Sequence, residues 1–174
     1  KLFVHSFLGI GQMGVEHQFL DAPACFANDY LLPDGTKAQG DARACLRDVA
    51  ELLNRVHHVN TIVSNLVREA RIQEWYVLGG LMYLVQSKTF DFHDGVFTSA
   101  DMLEKGDNSV CRQDWSTLTM QYPGDSFLYS YCLLPAYYYS LFVDGYGVSP
   151  ETPLHYLSGN ADGDWTMGVV LMQA

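Results

Sequence analysis

Two carboxylates near the C-terminus, Asp162 and Asp164, stand directly before Trp165 in a Gly-rich stretch at residues 158–168. The apolar run before this stretch, at 154–157, predicts a strand, and the apolar run after it predicts a helix. A carboxylate at a helix start accepts the free amide protons of the first turn, and a Gly- and Asp-rich turn brings backbone N–H groups close to a phosphate or a hydrated metal ion. The stretch therefore indicates either a capped helix with Trp165 packed on a sheet or a ligand-contacting turn.

A second glycine pattern, Gly9, Gly11 and Gly14, follows a predicted strand at 1–8 and precedes a short predicted helix at 15–20. Formally this is the G-x-G-x-x-G spacing with which dinucleotide-binding folds approach a pyrophosphate. The helix ends almost at once at 21–23, and no second strand with an acidic residue at the required offset follows. A tight turn, or a glycine loop beside some other ligand, is favoured, and a dinucleotide-binding module stays as an alternative.

A third glycine corner, Gly79-Gly80, separates a predicted buried strand at 74–78 from a helix that starts at Leu81. Two glycines at such a corner leave room for a flat group. Tyr83 either lines that space or packs in the core. Farther along, Pro135 is predicted in the first turn of a helix that ends near Gly145, because its missing N–H is tolerated there.

The four cysteines, Cys25, Cys45, Cys111 and Cys132, form neither a CxxC motif nor a zinc-binding spacing with histidine. Two disulfides in a secreted protein, or four buried thiols in a cytosolic one, remain the alternatives, and we favour the first. The adjacent pair at 57–58, His-His, is interpreted as exposed and not as a metal site, since adjacent side chains on a helix point apart.

The length of 174 residues suits one domain or one lobe, and a hydrophobic content of 48% suffices for a packed core. The net charge of −10 argues against a nucleic-acid or anionic-membrane surface. No apolar run approaches the roughly 18 residues of a membrane span. The chain begins abruptly within a predicted strand, so we interpret it as a piece of a longer protein, and the lack of a signal peptide in this sequence carries little information.

The remaining elements are mostly helical. Asp41 is the predicted N-cap of an amphipathic helix, a further helix is predicted at 61–72, and Thr98 opens a short helix that should stop at Gly106. Another helical segment is predicted at 111–122. The alternation of strands with helices indicates an α/β fold with a mixed sheet.

Several of these motifs resemble one family. Residues 4–12, Val-His-Ser-Phe-Leu-Gly-Ile-Gly-Gln, resemble the Tyr-His-Ser-Phe-Leu segment and glycine loop of the ectonucleoside triphosphate diphosphohydrolases, or apyrases. Residues 162–168, Asp-Gly-Asp-Trp-Thr-Met-Gly, resemble their block Asp-Ala-Gly-Trp-Thr-Leu-Gly. Ser-Tyr-Cys at 130–132 and the helix ending at 145–146 fit in order between them. Within the family, the resemblance points to the secreted apyrases of apicomplexan parasites.

The resemblance implies that residues 1–174 are the second lobe of a two-lobed enzyme with an actin-like, ribonuclease-H-like fold. Such enzymes hydrolyse nucleoside tri- and diphosphates to monophosphates and phosphate with Ca²⁺ or Mg²⁺. The water-activating glutamate and both phosphate loops belong to the first lobe, so this chain alone should be inactive. A homo-oligomer and a secreted or secretory-vacuole location are further expectations.

The resemblance also carries roles onto particular residues. Tyr83 and Tyr131 would stack on the nucleobase from its two sides, and Gln12 would contact the base where many relatives have Arg or Lys. Trp165, with Asp162 beside it, would take part in catalysis near the metal-bound waters. Cys111 and Cys132 match a family disulfide, which leaves Cys25 and Cys45 as a second pair.

Overall fold

The computed structural model describes residues 5–156. In this range the helices are α1 (Gln12–Gln18), α2 (Ala42–Ala50), α3 (Val59–Ala70), α4 (Gly80–Gln86), α5 (Ser99–Gly106), α6 (Trp115–Gln121) and α7 (Leu133–Tyr139). The strands are β1 (Trp75–Tyr76), β2 (Val96–Phe97) and β3 (Leu154–His155). Helices α2, α5 and α7 continue as π-helical turns over Glu51–Val56, Asp107–Cys111 and Ser140–Gly145, and short 3₁₀ turns occupy Pro23–Cys25 and Leu128–Ser130.

The three described strands form one small mixed sheet in the order β1-β3-β2. Trp75 pairs with Leu154 in a parallel ladder, and Val96 pairs with His155 in an antiparallel one. Helices surround this sheet, so the described part of the chain is a mixed α/β structure, as the alternation of elements predicted. Strand β3 lies at its centre, which explains why Leu154 is fully buried.

Helix α7 is the centre of the helical core. Its first six residues, from Leu133 to Tyr138, are all buried, and α2 and α5 pack against it. A helix that is apolar on every side is typical of such a central position. Pro135 lies in its first turn, as predicted, and α5 approaches so closely that a Cβ on Gly106 would meet the Pro135 ring at 2.7 Å.

Two disulfides link distant parts of this core and confirm the predicted pairs. Cys25 is bonded to Cys45, and Cys111 to Cys132, with 4.9 Å between the Cα atoms in each case. All four cysteines are buried. In the chain-entropy description, loops of this size each stabilise the fold by about 3 kcal/mol.

The two predicted N-caps, Asp41 and Thr98, are also confirmed. The Asp41 carboxylate accepts hydrogen bonds from the backbone N–H groups of Arg43 and Ala44, at 3.1 and 2.9 Å. The Thr98 hydroxyl oxygen accepts one from the Asp101 N–H at 3.0 Å. Both satisfy amide groups that the first helical turn would otherwise leave without partners.

Two local expectations are wrong, and a third is confirmed only for the α-helix itself. Residues 5–8, the described end of the predicted first strand, lie outside the sheet, and Leu8 is 84% exposed before a turn at Gly9. Helix α1 starts three residues before the predicted position. Helix α5 ends at Gly106, as predicted, but the chain continues directly into the π-helical turn Asp107–Cys111, because Gly106 keeps helical backbone angles.

Candidate functional site

An apolar cleft lies where α1, α4 and the start of α7 meet. It encloses about 200 Å³ and is lined by Gln12, Gly80, Tyr83, Leu84, Phe127, Tyr131 and Leu134. Three of the lining side chains are aromatic, and the polar contribution comes chiefly from Gln12. A concave, mostly apolar space with few polar groups is the general form of a small-molecule site.

The glycine corner between β1 and α4 positions Tyr83. Gly79 adopts a left-handed backbone with φ 63°, which favours glycine, and its carbonyl accepts the Tyr83 N–H at 3.1 Å. Tyr83 thus lies in the first turn of α4, with 69% of its surface exposed. The sequence left open whether Tyr83 lines a space at this corner or packs in the core, and its side chain lines the cleft.

Tyr131 lies much later in the sequence than Tyr83 but lines the same cleft. Its side chain is far more buried than that of Tyr83 and is held by specific contacts. It is only 6% exposed, its ring meets Phe90 edge-on at 5.7 Å, and its hydroxyl donates to the Asp125 carboxylate at 3.3 Å. Burial, and secondly the negative charge of Asp125, raise the pKa of Tyr131 to about 12, so the side chain is a neutral hydrogen-bond donor. The disulfide at the adjacent Cys132 fixes its backbone.

Gln12 belongs to a hydrogen-bonded network beside this cleft. Its Oε1 accepts the Tyr138 hydroxyl at 2.7 Å, and its Nε2 donates to Glu16 at 3.0 Å. An ionised carboxylate can only accept, so Glu16 fixes which end of the amide is the donor. Gly80 makes this arrangement possible, because a Cβ there would overlap Gln12 Oε1.

The remaining predicted site residues cannot be placed relative to the cleft by the described part of the chain, residues 5–156. Asp162 and Trp165 lie outside the described residues. Within residues 5–156, no group of three or more His, Cys, Asp or Glu side chains is arranged to hold a metal ion. No helix in that range has the length and apolar character to cross a membrane.

The sequence assigned no role to three lining residues, Leu84, Phe127 and Leu134. Phe127 follows the Pro-Gly turn at 123–124 and lies in an aromatic-rich stretch. This location after a turn is the local feature that could have marked it as a candidate site residue. Leu134 carries no such signal, since it is one of several apolar residues that open α7.

The glycine loop does not have the structural context of a dinucleotide fingerprint. Such a fingerprint needs a strand directly before the glycines, and residues 5–8 form none. A Cβ on Gly14 would meet the backbone carbonyl of Gly9, so this glycine serves close packing of the loop on α1. The dinucleotide alternative is therefore not supported.

The fold and the cleft together define an α/β domain with an open, aromatic-lined cleft. The sequence profile of the GDA1/CD39 (nucleoside phosphatase) family matches residues 1–174, and the chain belongs to this family. Its mixed sheet flanked by helices is consistent with the actin-like lobe of that family.

Individual relatives agree with this assignment. The chain is 29% identical over 153 residues to human ectonucleoside triphosphate diphosphohydrolase 3. It is 30% identical over 102 residues to human ectonucleoside triphosphate diphosphohydrolase 8. These matches cover 83% and 54% of this chain but only 28% and 21% of the relatives. Ectonucleoside triphosphate diphosphohydrolase 8 of the chicken, Gallus gallus, is 36% identical over 66 residues, which is 35% of this chain and 13% of that protein. The chain thus spans about a quarter of the length of the relatives it matches. An apicomplexan origin stays a prediction.

Proposed function

We propose that this chain is the nucleobase-binding lobe of an apyrase that hydrolyses nucleoside tri- and diphosphates to monophosphates and phosphate. The observation that carries the proposal is the shared cleft of Tyr83 and Tyr131, two residues far apart in sequence. Family membership supplies the reaction class, and the cleft supplies a site for the flat part of the substrate.

The chemistry of the cleft suits a nucleobase. Every base has an aromatic face, and stacking on an aromatic side chain contributes about 1–3 kcal/mol per base irrespective of its identity. Such a site can bind both purines and pyrimidines. Gln12 adds a polar, uncharged amide at the edge of the cleft. Because Tyr138 and Glu16 fix the orientation of this amide, it can orient the base by hydrogen bonding.

The reaction itself is assigned to residues outside the described range and outside the chain. Asp162 and Trp165 are proposed to lie near the phosphate, with the indole N–H as a donor. The activating glutamate, the phosphate loops and a Mg²⁺ or Ca²⁺ site are proposed to belong wholly or partly to a first lobe. The cation would supply electrostatic stabilisation of the developing charge.

Two disulfides support a secreted or secretory-vacuole location, because such bonds persist in oxidising compartments. The alternative of a purely structural interaction domain is less well supported. It predicts that the aromatic side chains are all interior, whereas Tyr83 is 69% exposed beside an open cleft.

Phosphate release by the full-length protein tests the proposal. We expect hydrolysis of nucleoside tri- and diphosphates with a divalent cation, and none by residues 1–174 alone. Tyr83→Ala should raise KM about fivefold to a hundredfold with kcat nearly unchanged, since stacking is retained from ground state to transition state.

Tyr76→Ala is a matched control, because Tyr76 is a tyrosine of similar exposure, 61%, outside the cleft. Unchanged KM in Tyr83→Ala, or equal effects of the two substitutions, would reject the base site. Absence of hydrolysis by the full-length protein would reject the proposed activity.

A further inference from the structure

A third aromatic side chain lines the cleft without an assigned role. Phe127 borders it together with Tyr83 and Tyr131, and 59% of its surface is exposed. Small-molecule sites are concave and lined mainly by apolar and aromatic side chains, so an exposed aromatic ring at the edge of this cleft is available to contact a ligand.

The three rings differ in what they can offer a ligand. Tyr131 is only 6% exposed and is already engaged by Phe90 and Asp125. Its ring can form the inner wall of the cleft but has little further area to contribute. The open aromatic area of the cleft belongs to Tyr83 and Phe127, so most of the surface that a base would bury lies on these two rings.

The backbone holds Phe127 in this exposed position from both sides. Its N–H donates to the Asp125 carboxylate at 3.0 Å. Its carbonyl accepts from the N–H and the hydroxyl of Ser130, at 2.9 and 2.8 Å. Ser130 is buried, so this anchor is part of the folded core. The ring is thus presented to the cleft on a fixed main chain, and less ordering entropy is lost when a ligand binds.

Asp125 forms hydrogen bonds with both Phe127 and Tyr131. The same oxygen, Oδ1, accepts from the Phe127 N–H and from the Tyr131 hydroxyl. One carboxylate therefore sets the positions of both the open ring and the buried ring, and its loss would loosen them together.

We propose that Phe127 contacts the nucleobase as the outer wall of the cleft, opposite the exposed ring of Tyr83, and that Asp125 is its positioning residue. This inference rests on the proposed function of the cleft. Because a bicyclic purine covers more of these rings than a pyrimidine does, Phe127 also gives the site a purine preference.

Steady-state phosphate release by the full-length protein tests the inference with ATP and CTP. Phe127→Ala should raise KM for ATP about fivefold to a hundredfold, with kcat within about twofold and a smaller effect on CTP. Phe127→Leu, which stays apolar but lacks an aromatic face, should behave like Phe127→Ala. Phe127→Tyr should keep the KM of the unmodified protein.

Two further variants separate positioning from packing. Asp125→Ala removes the shared acceptor and should raise KM about fivefold, whereas Asp125→Asn retains an acceptor oxygen and should restore it. Met120→Ala is the control, since Met120 is 75% exposed on α6 and does not line the cleft.

The outcomes separate the role of Phe127 from the proposed function of the cleft. A raised KM in Tyr83→Ala with an unchanged KM in Phe127→Ala and Phe127→Leu would overturn the role of Phe127 and leave the proposed function in place. Unchanged KM values in all of these variants would overturn the base site itself. A protein that releases no phosphate from nucleotides would overturn both.

Discussion

Removal of the two disulfides one at a time should separate stability from ligand binding. The bonds are closely matched, with sequence separations of 20 for Cys25–Cys45 and 21 for Cys111–Cys132, equal Cα distances and four buried cysteines. Only the second bond adjoins Tyr131. Replacing both members of either pair by alanine therefore makes the same change in the covalent framework but different changes beside the cleft.

The magnitude follows from the loop lengths. Both bonds close loops of similar size, which corresponds to about 3 kcal/mol of free energy of unfolding in the chain-entropy description. With a denaturant dependence of about 2 kcal/mol/M in urea, each double variant should unfold at a urea concentration lower by about 1.5 M. The two shifts should agree within about 0.5 M.

The nucleotide assay should then differ between the pairs. Replacement of Cys111 and Cys132 frees the backbone next to Tyr131, and we expect KM for nucleotide to rise about fivefold or more in the full-length protein. Replacement of Cys25 and Cys45 should leave KM within about twofold. Equal KM changes in both double variants would refute a local link between the bond and the cleft, and a urea shift below about 0.3 M would refute the stability estimate.

Three further outcomes follow from single sites. Gly80→Val places side-chain atoms against the Gln12 amide and should raise KM for nucleotide about tenfold, measured by phosphate release. Asp41→Ala removes the cap of α2 and should lower the free energy of unfolding by about 1 kcal/mol in urea titration, while Asp41→Asn, which keeps an acceptor, should lose much less. Burial raises the pKa of Tyr131 and Tyr137 to about 12, above the value of about 10 in an unfolded chain. Their contribution to stability is therefore complete below about pH 10 and is lost as the pH rises through about 12, and a flat urea midpoint from pH 9 to 12 would contradict this assignment.

The local predictions that succeeded depend on chemistry within a few residues. Asp41 and Thr98 cap helices because their side chains reach the next amides, and Gly79 turns the chain because only glycine adopts its backbone angles without strain. The strand expected at 1–8 had no such local determinant. Its described end is left out of the sheet, since strand formation needs a partner that the sequence does not specify.

The sequence by itself indicated the family, the α/β class, the helix caps and the glycine corner beside Tyr83. Through the resemblance it also indicated the Cys111–Cys132 pair, and Cys25–Cys45 followed only by elimination. Only the tertiary structure decided which aromatic side chains share a cleft and how much of each remains open. The reason is physical: exposure of Tyr83, burial of Tyr131 and the position of Phe127 depend on packing between α1, α4 and α7, which are distant in sequence. Asp125 illustrates this well, because its two hydrogen bonds to the cleft walls become visible only when the chain is folded.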